Sequence, residues 1–169
     1  MANRGSHHNL TSYALPILLL VLVNCSIGGI VAQILRDRFL SAHNGERRRL
    51  GLPLLVWDNA LATYAANYAA RQDSAQAGCS GALRHSNGPY GENLYWYWTS
   101  TGAVATPNQA VADWISEKRY YNYRTNTCAS GQQCGHYTQV VWAKTLRVGC
   151  AVRACASRRG ATYIICNYN

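Results

Sequence analysis

The sequence predicts an exported α+β domain in which helices cover an antiparallel sheet. Three observations carry this. A ten-residue apolar run follows a positively charged start, six cysteines remain beyond that leader, and the hydrophobic period changes from helical to alternating in the last third. The chain has 169 residues, 49% of them hydrophobic and only 14% charged. That composition excludes a disordered chain and is sufficient for one domain with its own core. No repeat or low-complexity tract divides it.

The leader comes first. Arg4 precedes every acidic residue, and Ala14–Val23 is uninterrupted apolar sequence. A run of ten is too short to cross a hydrocarbon core of about 30 Å and fits a signal-peptide core instead. Asn24, Cys25 and Ser26 end the run, and small residues follow at Gly28, Gly29 and Ala32. Cleavage is expected after Ala32, leaving residues 33–169 as the mature chain. Cys25 leaves with the leader, so seven cysteines become an even six: Cys79, Cys128, Cys134, Cys150, Cys155 and Cys166. An even set in an exported chain implies a disulfide framework, with fifteen pairings open. No Cys-x-x-Cys points to a zinc ribbon or redox motif. The triplets at Asn9 and Asn24 also lie in the leader, so the mature chain is expected to be unglycosylated.

Leu35, Phe39, Ala42, Glu46 and Leu50 share one helical stripe, ended by Gly51-Leu52-Pro53. Arg47, Arg48 and Arg49 fall in its last turn, at the negative end of the helix dipole. Asp58 can cap a second helix from Asn59 to about Gln72, with Leu61, Tyr64, Ala65 and Tyr68 inward. Thr106-Pro107-Asn108-Gln109 opens a third with a capping box and proline at its first position. Val111, Trp114, Ile115 and Lys118 share one side of it. Tyr137–Trp142, Val148–Arg153 and Thr162–Tyr168 then read as strands. The long segment from Gly78 to Pro107 reads as a functional loop. Within it Tyr95-Trp96-Tyr97-Trp98 lacks alternation, and at least two of these rings are expected in the core.

Chemistry concentrates in Arg84-His85-Ser86, Gly91-Glu92-Asn93-Leu94 and Gly135-His136-Tyr137-Thr138-Gln139, with Glu117 near the end of the third helix. From spacing alone, His85, Glu92, Glu117 and His136 read as a hydrogen-bonded polar cluster lining a cleft. A first-row divalent metal site is the alternative. Adjacency of His85 and Ser86 makes no catalytic dyad, and no separate nucleophile or general base is identifiable.

Gly135-His136-Tyr137-Thr138-Gln139-Val140-Val141-Trp142 resembles the signature of the cysteine-rich secretory, antigen 5 and pathogenesis-related (CAP) superfamily. Tyr163-Ile164-Ile165-Cys166-Asn167-Tyr168 resembles its second signature, and His43-Asn44 with Arg47, and Gly91-Glu92-Asn93-Leu94, match two further motifs. Trp114-Ile115-Ser116-Glu117-Lys118 and the cysteine order look most like plant pathogenesis-related class 1 proteins. The resemblance covers residues 33 to 168.

It implies a three-layer α-β-α sandwich with an antiparallel sheet, stabilised by disulfides Cys79–Cys155, Cys128–Cys134 and Cys150–Cys166. His85, Glu92, Glu117 and His136 match the family's cavity tetrad, where some relatives bind a divalent ion. Zinc is therefore a candidate, with no cofactor required. His43 belongs to the first-helix motif and is expected to pack or hydrogen-bond. Tyr121 and Tyr123 occupy the position of an aromatic sterol-binding loop. Plant relatives continue past Asn167-Tyr168 with a tail containing proline and glycine, so residues 33–169 are expected to be a CAP domain lacking it. The function implied is that of a secreted plant defence protein of the apoplast or cell wall. It would be a monomer and antifungal, acting by binding sterol or other lipid and not as an enzyme. A metal-dependent hydrolase at the tetrad is the alternative. So is a charge-driven binder of anionic cell-wall polysaccharide or microbial membranes, since sixteen basic against seven acidic residues give +9 and loss of Arg4 leaves +8. Nucleic acid is not expected as a partner of an exported chain without a recognition motif.

Overall fold

The computed structural model describes residues 14–74 and 78–169, with side chains from 28 to 73 and from 79 onward. Two units divide it, Met1–Ile34 and Leu35–Asn169, and helix α1 (Ala14–Arg49) is assigned across both. Arg4 and Asn9 lie outside the described residues, as do the side chains of Ala14–Val23 and Cys25. No helix among the described residues is long and apolar enough to cross a membrane.

The second unit is built around one four-stranded sheet. Strands β1 (Val56–Trp57), β2 (Gly91–Trp98), β5 (Arg147–Ala154) and β6 (Ala161–Tyr168) lie in the order β1-β5-β6-β2. The pairs β5–β6 and β6–β2 are antiparallel over seven and eight residues. The two-residue β1 instead runs parallel to β5. No hairpin links β1 to β5, so no tight turn dictates an antiparallel direction there.

Every residue of β6 is buried, and its alternation builds two cores. Tyr163 and Ile165 face Ala65, Tyr68 and Ala69 of α2 (Asn59–Ser74). Ile164, Cys166 and Tyr168 face Phe39 of α1 and Val111 and Trp114 of α3 (Pro107–Ser116). Helices therefore cover both faces, which is the expected three-layer arrangement. Helix α2 lies so close to β5 that a Cβ on Gly149 would overlap the backbone of Ala62. Both sequence-read caps form: Asp58 accepts from the N–H groups of Ala60 and Leu61, and Thr106 and Gln109 make the full capping box. All three implied disulfides are present.

Three readings need correction. Tyr137–Trp142 is not a strand, because Gly135–Val140 is helix α4. Its buried residues, Tyr137 and Val140, are three apart, a helical spacing that six residues are too few to reveal. The segment from Gly78 to Pro107 is not all loop, since it carries β2 beside the central strand. Both faces of β2 pack, so its sequence shows no alternation. Tyr95 and Tyr97 lie against the α1/α3 core, while Trp98 stays 44% exposed. Finally, the buried face of α1 is Phe39, His43, Asn44, Glu46 and Arg47, and Leu50 is exposed. Polar residues can line that face because they find partners; Asn44, for example, bonds both the N–H and the carbonyl of Leu55.

Candidate functional site

Four elements deliver the tetrad to one end of the sheet. The segment before β2 supplies His85, and the start of β2 supplies Glu92. Glu117 is the C-cap of α3 and begins a 3-10 turn to Tyr120, while His136 lies in the first turn of α4. The four residues form two pairs. His85 Nδ1 donates to Glu92 Oε1 at 2.9 Å, and His136 Nδ1 donates to Glu117 Oε1 at 2.7 Å. Each carboxylate is held by further donors. Glu92 accepts from the N–H of Ser86 and from Asn167 Nδ2, and Glu117 accepts from the N–H of Tyr137. Giving Nδ1–H to a carboxylate leaves Nε2 as the remaining lone pair of each neutral ring. Carboxylate-oriented imidazoles in metal sites have this arrangement.

A cleft of about 350 Å³ is lined by His85, Glu92, Asn93, Gln133, Cys134, Gly135, His136 and Gln139. Glu117 stands behind His136. No three tetrad ligand atoms lie within 4.8 Å of one another. The one described group that meets that spacing is Asp73, Cys79 and Cys155. Both of its sulfurs are joined to each other, so no thiolate is available there.

Below the cleft lies a polar chain that the sequence reading left unassigned. Asn93 Nδ2 donates to the His136 carbonyl at 3.0 Å and to the Tyr168 hydroxyl at 3.3 Å. Tyr168 donates to His43 Nε2 at 2.8 Å, and His43 Nδ1 donates to the Phe39 carbonyl at 2.8 Å. His43 is fully buried and outside the cleft lining, the packing role expected of it. The signal for Asn93 is its place in the Gly-Glu-Asn-Leu motif and that for Tyr168 its place in the second signature, but neither motif shows that the two side chains meet.

Burial lowers the pKa of His43 from 6.5 to about 4. The unfolded chain therefore binds a proton at this residue between pH 6.5 and 4 that the folded chain refuses. Stability is expected to fall by roughly 3 kcal/mol as pH drops through that window, and to be flat above it for this group. Hydrogen bonding from Arg49 holds Glu46 below its usual range, and the Leu61 N–H does the same for Asp58, so their losses come at lower pH. Denaturant unfolding at pH 7, 5.5 and 4.5 checks this. A His43→Gln variant should lose the slope between pH 6.5 and 4.

Tyr121 and Tyr123 lie on a hairpin of β3 (Tyr121–Asn122) and β4 (Thr127–Cys128), tied to α4 by Cys128–Cys134. They are not equivalent. The Tyr121 hydroxyl donates to Asn126 Oδ1, and its ring meets Tyr137 edge-on at 5.8 Å, whereas Tyr123 is 88% exposed. Through Tyr137 the hairpin adjoins the Glu117–His136 pair.

With this geometry in place, residues 40–168 match the cysteine-rich secretory protein family, CAP. The chain belongs to the CAP family. It is 41% identical over 165 residues to the pathogenesis-related protein PR-1 of Medicago truncatula, covering 94% of this chain and 90% of that protein. It is 46% identical over 154 residues to the pathogenesis-related protein 1A1 of Solanum lycopersicum, covering 88% and 82%. The solved venom allergen-like protein 4 of Schistosoma mansoni shares its fold, with a TM-score of 0.60 at 26% identity over 79% of this chain and 86% of that one. The motifs that suggested CAP thus fall on the elements that build the cleft: Gly91–Leu94 on β2, Gly135–Trp142 at α4, and Tyr163–Tyr168 on β6.

Proposed function

We propose that this CAP protein is a secreted plant defence protein that acts on microbes by binding sterol or another lipid, and not by catalysis. Its relatives named for pathogenesis support the defence role. Six cysteines joined in three disulfides support an oxidising, extracellular location such as the apoplast. The observation that carries lipid binding is Tyr123, 88% exposed on a hairpin that a disulfide and the Tyr121–Asn126 bond hold in place. A large amphipathic ring presented on a rigid support offers apolar contact at little cost in ordering. Against catalysis, Glu92 and Glu117 have both oxygens engaged by donors, leaving neither poised as a general base.

The test is sterol binding by the purified protein as a monomer. Tyr121→Ala with Tyr123→Ala is expected to weaken binding at least tenfold, and Tyr123→Ala alone should weaken it with the unfolding midpoint little changed, because that ring is 88% exposed. Unchanged affinity removes the hairpin from the account.

The oriented imidazoles favour a second reading in which the cleft holds a divalent ion such as zinc. His85 and His136 would be the protein ligands, with Glu92 and Glu117 fixing their tautomers. When bound, such an ion supplies Lewis acidity at its open positions. Calorimetric titration with zinc should give a binding heat that His85→Ala with His136→Ala abolishes and that Glu92→Gln weakens by about 10- to 100-fold. No heat with the unsubstituted protein makes the pairs a structural network.

A further inference from the structure

Strand β2 carries a second cluster of aromatic and charged side chains at the end away from the cleft. Glu92 and Trp98 are six residues apart, so the cleft and the strand's far end are separated by about 20 Å. At that far end Trp96 and Trp98 project to the same side of the strand, and the Arg158 guanidinium lies over both rings, 5.5 and 5.2 Å from their centroids. The platform is held rigidly. Trp96 Nε1 donates to the Cys79 carbonyl, and its ring lies against Gly81. The turn bearing Arg158 and Arg159 is closed by the bonds Ala161 N–H to Arg158 O and Thr99 N–H to Gly160 O. Cys155, where that turn begins, is bonded to Cys79.

The donors here are unspent. Among the described residues neither Arg158 nor Arg159 forms an ion pair, and neither guanidinium donates a side-chain hydrogen bond. The nearby Arg153 is, by contrast, neutralised by Asp73. Both free arginines are exposed, as is Trp98.

We infer that this platform binds an acidic polysaccharide, a polymer of uronic acid. Such a sugar presents an apolar C–H face beside a carboxylate in each unit. The platform presents the complement, the exposed part of the Trp98 indole together with the planar fork of N–H donors of the Arg158 guanidinium stacked on it. A positive net charge raises the local concentration of such a polyanion. The site is separate from the hairpin and the cleft, and the inference does not rest on the lipid or metal readings.

The test titrates the purified protein with unesterified oligogalacturonide, followed by calorimetry and tryptophan fluorescence. A fully methyl-esterified oligomer serves as the uncharged control. Binding is expected for the acidic oligomer, to be at least tenfold weaker for the esterified one, and to weaken with added salt. Trp98→Ala and Arg158→Gln should each weaken it about tenfold, and Arg158→Gln with Arg159→Gln should bring it below detection. Arg48→Gln, on α1, and His85→Ala with His136→Ala should leave it unchanged. If Trp98→Ala lowers the unfolding midpoint, Arg158→Gln carries the comparison, because among the described residues that guanidinium forms no ion pair or side-chain hydrogen bond whose loss would cost stability. Equal affinity for the esterified oligomer overturns the inference. So does an Arg48→Gln loss as large as that of Arg158→Gln, which would mean diffuse charge attraction. Loss of binding to anionic phospholipid vesicles but not to oligogalacturonide in the Trp98 variant would also overturn it.

Discussion

Arg47→Met is expected to lower the unfolding free energy by about 4 kcal/mol or more. The Arg47 guanidinium is fully buried and donates to four backbone carbonyls: Pro53 at 2.8 Å, Val140 at 2.9 Å, Trp142 at 3.0 Å and Thr145 at 2.9 Å. Among the described residues no carboxylate pairs with it, and the neighbouring Glu46 is paired with Arg49 and Lys118. Its charge is balanced by carbonyl dipoles, two of them at the C-terminal end of α4. Methionine keeps most of the volume but supplies no donor, and each carbonyl left dry costs about 1–3 kcal/mol before water partly relieves it. Arg47→Lys should recover only part of the loss, because one ammonium cannot span a fork of four acceptors. Denaturant midpoints of the three proteins measure the series, and a loss under about 1 kcal/mol for Arg47→Met would show that water replaces the guanidinium freely. The same residue bears on the cleft. It pins the end of α4 opposite His136, so Arg47→Lys should weaken any zinc affinity while the fold persists.

These contacts explain what could be read from the sequence. Arg47 was legible as a cation in a last helical turn and as part of the His43-Asn44 motif, neither of which names its partners. Its four acceptors come from three segments up to 98 residues away, and no local pattern encodes that convergence. Caps were legible because their chemistry is local: Asp58 and the Thr106/Gln109 box form as read. The disulfide pairing and the tetrad came through family motifs and not through spacing, which left fifteen pairings and two readings open. Even so, the motif did not show that the tetrad is two separate His–Glu pairs, each built by a different pair of elements. Strand β2 was hidden for a physical reason. A strand packed on both faces loses the alternation by which strands are recognised, and its aromatic run resembled loop composition. The helix α4 was hidden by its length.

Removal of Cys79–Cys155 by paired alanine substitution is the second large effect, expected to cost about 4 kcal/mol. This bond closes a separation of 76 residues, against 16 for Cys150–Cys166 and 6 for Cys128–Cys134. Loop-closure entropy then ranks the losses at about 4, 3 and 2 kcal/mol. Packing sharpens the ranking. Cys150 and Cys166 are register partners in the β5–β6 ladder, so their strands stay paired without the bond. Cys79 and Cys155 are buried in the α2-side core and join a 3-10 turn, Gly78–Ser80, to the end of β5, with no strand ladder between these two segments. Three double-alanine variants compared by denaturant unfolding test the order, and a larger loss for Cys128–Cys134 would show that loop length does not govern it. The local consequences differ from the global ones. Without Cys128–Cys134, Tyr121 and Tyr123 keep the hairpin's own bonds and the Tyr121–Tyr137 ring contact but lose the covalent tie to α4, so any sterol affinity should fall while stability changes least. Without Cys79–Cys155, the carbonyl that anchors Trp96 loses its covalent tie to the turn that carries Arg158. The tryptophan emission of that variant should therefore shift toward that of the unfolded chain before the main unfolding transition begins.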